Sequence, residues 1–162
     1  VLIMLMRLRD RLLALAPRYH RVVLDLGAGV DVAVRSLAAA SGAVLVIATD
    51  EPTALTDAYA LIKLLAAQNR GHLVRIVINM AASAREGERT YAKLSKACET
   101  FLKLSPPLAG IVRRDDRVRD AIRHQTSLLI RHPAADALAD VEVIAARLLG
   151  LPLAAAPAAQ AR

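Results

Sequence analysis

Apolar residues in this chain follow two rhythms, steps of three and four or short unbroken runs, and the exchange between them lays out the fold. Leu5, Leu8, Leu12 and Leu15 recur at helical spacing, so residues 4–16 read as an amphipathic helix that Pro17 ends. Residues 21–25 then read as a strand, Val22-Val23-Leu24 closing on the carboxylate of Asp25. It opens at once into Leu26-Gly27-Ala28-Gly29, where glycines let the backbone pass close to a bound group. Asp31 caps a helix over Val32 to Ala40, and Ser41-Gly42 closes it. The run from Ala43 to Ala48 has strand length and is expected to be buried on both faces.

The same reading continues downstream. Leu55, Ala58, Ile62 and Leu65 stripe a helix over about residues 53–69 that Gly71 stops, with Thr53 as a cap. Residues 73–79 form a strand with a polar end at Asn79, and Tyr91, Leu94, Cys98 and Phe101 mark the inner face of a helix over 84–102. After Pro106-Pro107, residues 108–112 are a strand, and Arg113-Arg114-Asp115-Asp116 opens a short helix to about Arg123. Leu128-Leu129-Ile130 reads as a short extended piece, and Leu138, Val141, Ile144 and Leu148 stripe the last helix. Residues 1–150 make one domain, and the Ala/Pro-rich residues 151–162 read as a flexible tail.

Strand and helix alternate throughout, which predicts an α/β fold of three layers, a mainly parallel sheet with helices on both faces. In such a sheet Asp25, Thr49-Asp50-Glu51, Asn79 and Arg113-Arg114-Asp115 all follow strands directly and fall along one edge, where open α/β sheets keep their ligand. The plainer alternative is that every strand must end in polar loop residues. Glu51 and Thr53 fit capping and loop roles at least as well as chemistry.

Composition narrows the functional classes. With 162 residues, no Trp and one Phe, a single core must be built from Leu, Val, Ile and Ala. The net charge of +7 permits nucleic acid or an acidic surface as partner, but there are few aromatic platforms for single strands. One cysteine, Cys98, rules out an internal disulfide and suits a reducing compartment. His20, His72, His124 and His132 lack helical spacing to one another and read as ordinary surface or core histidines rather than ligands, and no serine stands in a nucleophile-elbow context.

A family comes into view on specific residues. Asp25-Leu26-Gly27-Ala28-Gly29 resembles the switch II segment of MinD/ParA-type P-loop ATPases, and Thr49-Asp50-Glu51-Pro52-Thr53-Ala54-Leu55-Thr56-Asp57-Ala58-Tyr59-Ala60 is similar to their flagellar-number regulator FlhG (FleN) branch. The likeness runs on through Val77-Ile78-Asn79-Met80 and Gly110-Ile111-Val112, covering about residues 5–150. It implies a P-loop NTPase-like fold that is incomplete at the N-terminus, with ATP/ADP and Mg²⁺ as cofactors. Asp25 would hold the metal, in part through water, and be the catalytic carboxylate. Gly27 and Gly29 would face the γ-phosphate, Asn79 would read the adenine edge, and Arg113, Arg114 and Asp115 would border base and ribose.

The departures from that pattern are equally specific. No Gly-x-x-x-x-Gly-Lys-[Ser/Thr] occurs, and Arg113 and Leu26 replace residue types common in the family. The chain thus reads as the C-terminal half of such an ATPase, consistent with its start at Val1 rather than Met, and it is expected to be inactive alone and prone to self-association. By resemblance the parent is a cytoplasmic, ATP-dependent homodimer, peripheral at the inner membrane or the cell pole. It would regulate flagellar number and placement through a flagellar GTPase, a switch-complex protein or a transcription activator. The residues after Gly150 carry no charged face, so membrane contact by the tail is not supported. The alternatives are a ParA-like DNA-partitioning ATPase, with Arg113, Arg114, Arg117, Arg119 and Arg123 as a phosphate stripe, or a degenerate, non-enzymatic interaction domain.

Overall fold

A parallel sheet of three strands, β1 (Val44–Ala48), β2 (Val74–Ala81) and β3 (Leu108–Arg113), lies at the centre of the computed structural model in the order β1-β2-β3. The structure describes residues 2–150, so the Ala/Pro tail expected over 151–162 lies outside the described residues. Seven helices accompany the strands among these residues: α1 (Leu2–Leu15), α2 (Val32–Ala40), α3 (Pro52–Ala67), α4 (Ala84–Leu102), α5 (Asp116–Arg123), α6 (Leu128–Arg131) and α7 (Asp136–Leu149).

Each crossover is made by a helix whose ends are set locally. The Asp31 carboxylate accepts the Val34 N–H at 2.9 Å to start α2, and the Ser83 hydroxyl accepts the Glu86 N–H at 3.2 Å to start α4. At the far end of α4, Lys103 takes the left-handed conformation (φ 55°) that stops the helix. Glu51, not Thr53, occupies the cap position of α3, and Pro52 supplies its first turn.

The core is two-sided. Val44, Val46 and Ala48 of β1 and Val74, Ile76 and Ile78 of β2 pack with Ile62 and Leu65 of α3 and Leu94 and Cys98 of α4. On the opposite face Val77 and Ala109 pack with Ile144 of α7. Burial of the Cys98 thiol, with the Glu99 charge beside it, raises its pKa. Close approach fixes two glycines: a Cβ on Gly87 would meet Ile111 Cγ2 at 2.4 Å, and one on Gly110 would meet Ile144 Cγ1 at 2.3 Å.

Four sequence expectations are corrected here. Residues 21–25 are irregular rather than a strand, with Val23 90% exposed, because among the described residues no strand lies beside them to complete a ladder. β1 is buried on one face only: Leu45 and Ile47, 62% exposed, project from the side that α7 leaves uncovered. Leu128–Arg131 is a helical turn, α6, not an extended piece. Phe101 does not join the inner face of α4 and stands 74% exposed at its last turn.

Candidate functional site

Parallel pairing brings the C-terminal ends of the strands to one edge, as an α/β ligand site requires. Ala48 lies opposite Ile78, and Ala81 lies opposite Arg113, so Thr49-Asp50-Glu51, Asn79 and Arg113-Arg114-Asp115 leave the sheet on the same side. Asn79 is not the end of its strand, since β2 runs on to Ala81. It sits where the β2–β3 register shifts, and its Oδ1 accepts the N–H of Met80 at 2.9 Å while Met80 itself is left-handed (φ 57°). Register irregularities of this kind re-aim side chains. The Asn79 amide nitrogen donates to no group among the described residues.

At the end of β3 the basic residues have separate fates. Arg113 holds Asp140 of α7 through Nε to Oδ2 at 2.9 Å and Nη2 to Oδ1 at 3.0 Å. Arg117 spans Asp115, at 2.8 Å, and Asp136, at 2.9 Å, and donates to the Ala134 carbonyl at 3.0 Å. Asp115 also accepts the Arg117 N–H at 3.0 Å, capping α5. Its hydrogen bond with the Arg117 side chain holds the carboxyl well below the usual carboxylate range. Arg113 and Arg117 are pushed up, chiefly by their hydrogen bonds with Asp140 and Asp115. Arg114 is exposed, and its backbone N–H donates to the Ala81 carbonyl at 2.8 Å. Arg113 and Asp115 therefore do structural work first, tying β3, α5 and α7 together beside the strand ends.

The carboxylate cluster on α7 is the part that spacing does not disclose. Asp136 and Asp140 are one helical turn apart, but they lie 23 and 27 residues beyond Arg113, and nothing local announces the pairing. A second junction joins α5 to α6, where Asp120 accepts from Arg131 Nε and from His132 Nε2 at 2.7 Å, with His124 alongside. These hydrogen bonds, that of Arg131 foremost, hold the Asp120 carboxyl well below its ordinary range.

Asp25 and the glycines that follow it lie on the irregular segment between α1 and α2. Leu26 anchors this segment by packing against the main core, and Asp25 is exposed. A single accessible carboxylate fits Mg²⁺, which takes one or two protein carboxylates and keeps several waters. Among the described residues no group of three or more His, Cys, Asp or Glu side chains could hold a metal. A Cβ added to Gly27 or Gly29 would meet nothing within 4 Å, so no close approach within the described residues requires either glycine; Gly29 still needs to be glycine for its φ of 105°. Asp25 was expected to follow a strand onto the common edge, but residues 21–25 form no strand among the described residues, so the sheet does not align Asp25 with the ends of β1, β2 and β3.

No family model matches the chain. Over 139 residues it is 37% identical to the antiactivator FleN of Pseudomonas aeruginosa, covering 84% of this chain and 49% of FleN. Over 108 residues it is 37% identical to the flagellum site-determining protein YlxH of Helicobacter pylori, covering 66% of this chain and 36% of YlxH. The chain thus spans half or less of the length of the curated relatives it matches. Its fold is similar to the MinD cell division protein of Aquifex aeolicus (TM-score 0.66, 16% identity, 90% of this chain and 61% of that one). It is similar also to the MinC:MinD cell division protein complex from the same organism (TM-score 0.69, 14% identity, 94% of this chain and 62% of that one). At those identities the structural likeness carries the fold alone.

Proposed function

We propose, from the premise that this chain belongs to the FlhG (FleN) branch of the MinD/ParA-type ATPases, that it is the C-terminal half of a nucleotide-switched regulator of flagellar number and placement. The observation that carries this reading is the 139-residue match to FleN, which includes the strand ends gathered on one edge of the sheet. The exposed Ile47 face and the outer edge of β1, which pairs with no strand among the described residues, support a domain completed by further strands.

In this reading Asp25 would hold Mg²⁺ partly through water, and Gly27 and Gly29 would offer backbone N–H groups to the γ-phosphate. When bound, Mg²⁺ supplies charge neutralisation for phosphoryl transfer. Asn79 would present its amide to the adenine edge, and the β3 end, held by Asp140, would line the base. ATP would close two subunits of the parent across their nucleotide sites, and hydrolysis would release them. Flagellar partners and polar placement come with the family. FleN is named an antiactivator, which fits a transcription activator as one partner.

The DNA-partitioning alternative draws less support, because Arg113 and Arg117 of its arginine stripe are taken up in ion pairs, leaving Arg114, Arg119 and Arg123. Joining the chain to the phosphate-loop half of an FlhG relative and measuring Mg-dependent ATP turnover tests the proposal. Turnover that falls about a hundredfold or more with Asp25→Ala supports it. Turnover indifferent to Asp25→Ala, or a folded chimera that binds no nucleotide, overturns it.

A further inference from the structure

α7 runs back along β3, and one row of its side chains descends the strand. Asp140 meets Arg113, Ile144 lies over Gly110, and Arg147 Nη1 donates to the Ala109 carbonyl at 3.3 Å, so helix steps of four and three follow the strand from its last residue toward its first. Asp140 thereby stands at the C-terminal end of β3, on the edge where Asn79 and residues 113–115 leave the sheet. Its side chain is 18% exposed, against 59% for Asp136 one turn earlier.

Two successive backbone N–H groups at this corner are drawn to different elements. The Arg113 N–H donates to Asp140 Oδ2 of α7 at 2.9 Å, and the Arg114 N–H donates to the Ala81 carbonyl of β2 at 2.8 Å. Ala81 closes the irregular stretch of β2 that holds Asn79 and the left-handed Met80. A tether from α7 therefore reaches the strand of Asn79 through a single peptide unit. Asp115 is fastened separately, by Arg117 Nε at 2.8 Å and by the Ala137 N–H at 3.4 Å.

From this geometry, and resting on the nucleotide reading above, we propose that Asp140 is a positioning residue for the nucleotide base. It does not touch the ligand. It fixes the end of β3 that would border the base and, through Arg114 and Ala81, the stretch of β2 from which Asn79 would read the adenine edge. A displacement of about 1 Å in such a frame is enough to lose much of what a positioned group contributes. The two conservative changes at this site differ in one respect: asparagine keeps a carbonyl oxygen for the Arg113 N–H, and alanine keeps none.

The test titrates the ¹⁵N-labelled 162-residue chain with adenosine, which carries the base without phosphates and so leaves Asp25 and the metal out. In the unaltered chain the Asn79 side-chain amide and the Arg113 backbone amide are expected to shift saturably. Asp140→Ala should move the Arg113 amide before any ligand is added and weaken adenosine about tenfold. Asp140→Asn should bind within about threefold of the unaltered chain, and Ile62→Val, in the core on the other face of the sheet, should leave binding unchanged. Equal adenosine binding by the unaltered and Asp140→Ala chains would overturn the proposal, and so would a loss in Asp140→Asn or Ile62→Val as large as that in Asp140→Ala. Absence of any shift at Asn79 in the unaltered chain is the distinct result that removes the base site itself, and the role of Asp140 with it.

Discussion

Arg113 and Asp140 meet at two points, and the same Oδ2 that receives Arg113 Nε also accepts the Arg113 backbone N–H at 2.9 Å. One carboxylate on α7 thus ends β3 and fixes the side chain that leaves it. Removing it leaves the half-buried backbone donor without its acceptor and the guanidinium with only its longer contacts to Asp136. Asp140→Ala should cost about 1–3 kcal/mol in urea unfolding, whereas breaking the exposed Arg9–Asp10 pair with Asp10→Ala should cost under about 1 kcal/mol. Equal losses would mean that the α7 tie is an ordinary surface pair.

Gly110 is a matter of space. Because its missing Cβ would lie 2.3 Å from Ile144 Cγ1, Gly110→Ala must displace α7 or force Ile144 from its rotamer, at a cost of about 1–3 kcal/mol. Combining it with Ile144→Val should return part of that loss. Additive losses in the double variant, measured by thermal unfolding, would contradict the contact.

Burial separates two large apolar residues. Leu65 is fully buried between α3 and the sheet, so Leu65→Ala should lose about 2–5 kcal/mol. Phe101 is exposed, and Phe101→Ala should change stability by less than about 0.5 kcal/mol. A comparable loss at Phe101 would place it in a core.

Acid should unfold the chain partly through Asp115 and Asp120. Both carboxyls sit below their unfolded values in the folded chain, so their stabilisation is complete above about pH 4, the ordinary aspartate range, and fades as pH falls through the lower folded value. Asp115→Asn should therefore reduce stability at pH 7 and flatten its fall below pH 4. An acid limb as steep as in the unaltered chain would mean that another group carries it.

The helices and the edge order were legible where local pattern and tertiary environment agree. The four inward positions of α4 start from a serine cap and end on a left-handed stop, and only Phe101 escapes, because the last turn overhangs the core. Val22-Val23-Leu24 shows the opposite case: an apolar run becomes a strand only beside another strand, and none of the described residues offers one there. The same lack of cover exposes Ile47. At the strand ends, the residue types drew attention to Arg113 and Asp115, but their partners on α7 depend on a crossover that brings residues 23 to 27 positions later back against β3.

The measurement that bears most directly on the half-domain reading is Mg-dependent ATP turnover by the purified 162-residue chain alone, compared with Asp25→Ala. With the phosphate loop absent from the sequence, neither protein should turn over ATP above the buffer rate. Appreciable Mg-dependent hydrolysis by the chain, abolished by Asp25→Ala, would contradict it, since a complete active site would then lie within these residues.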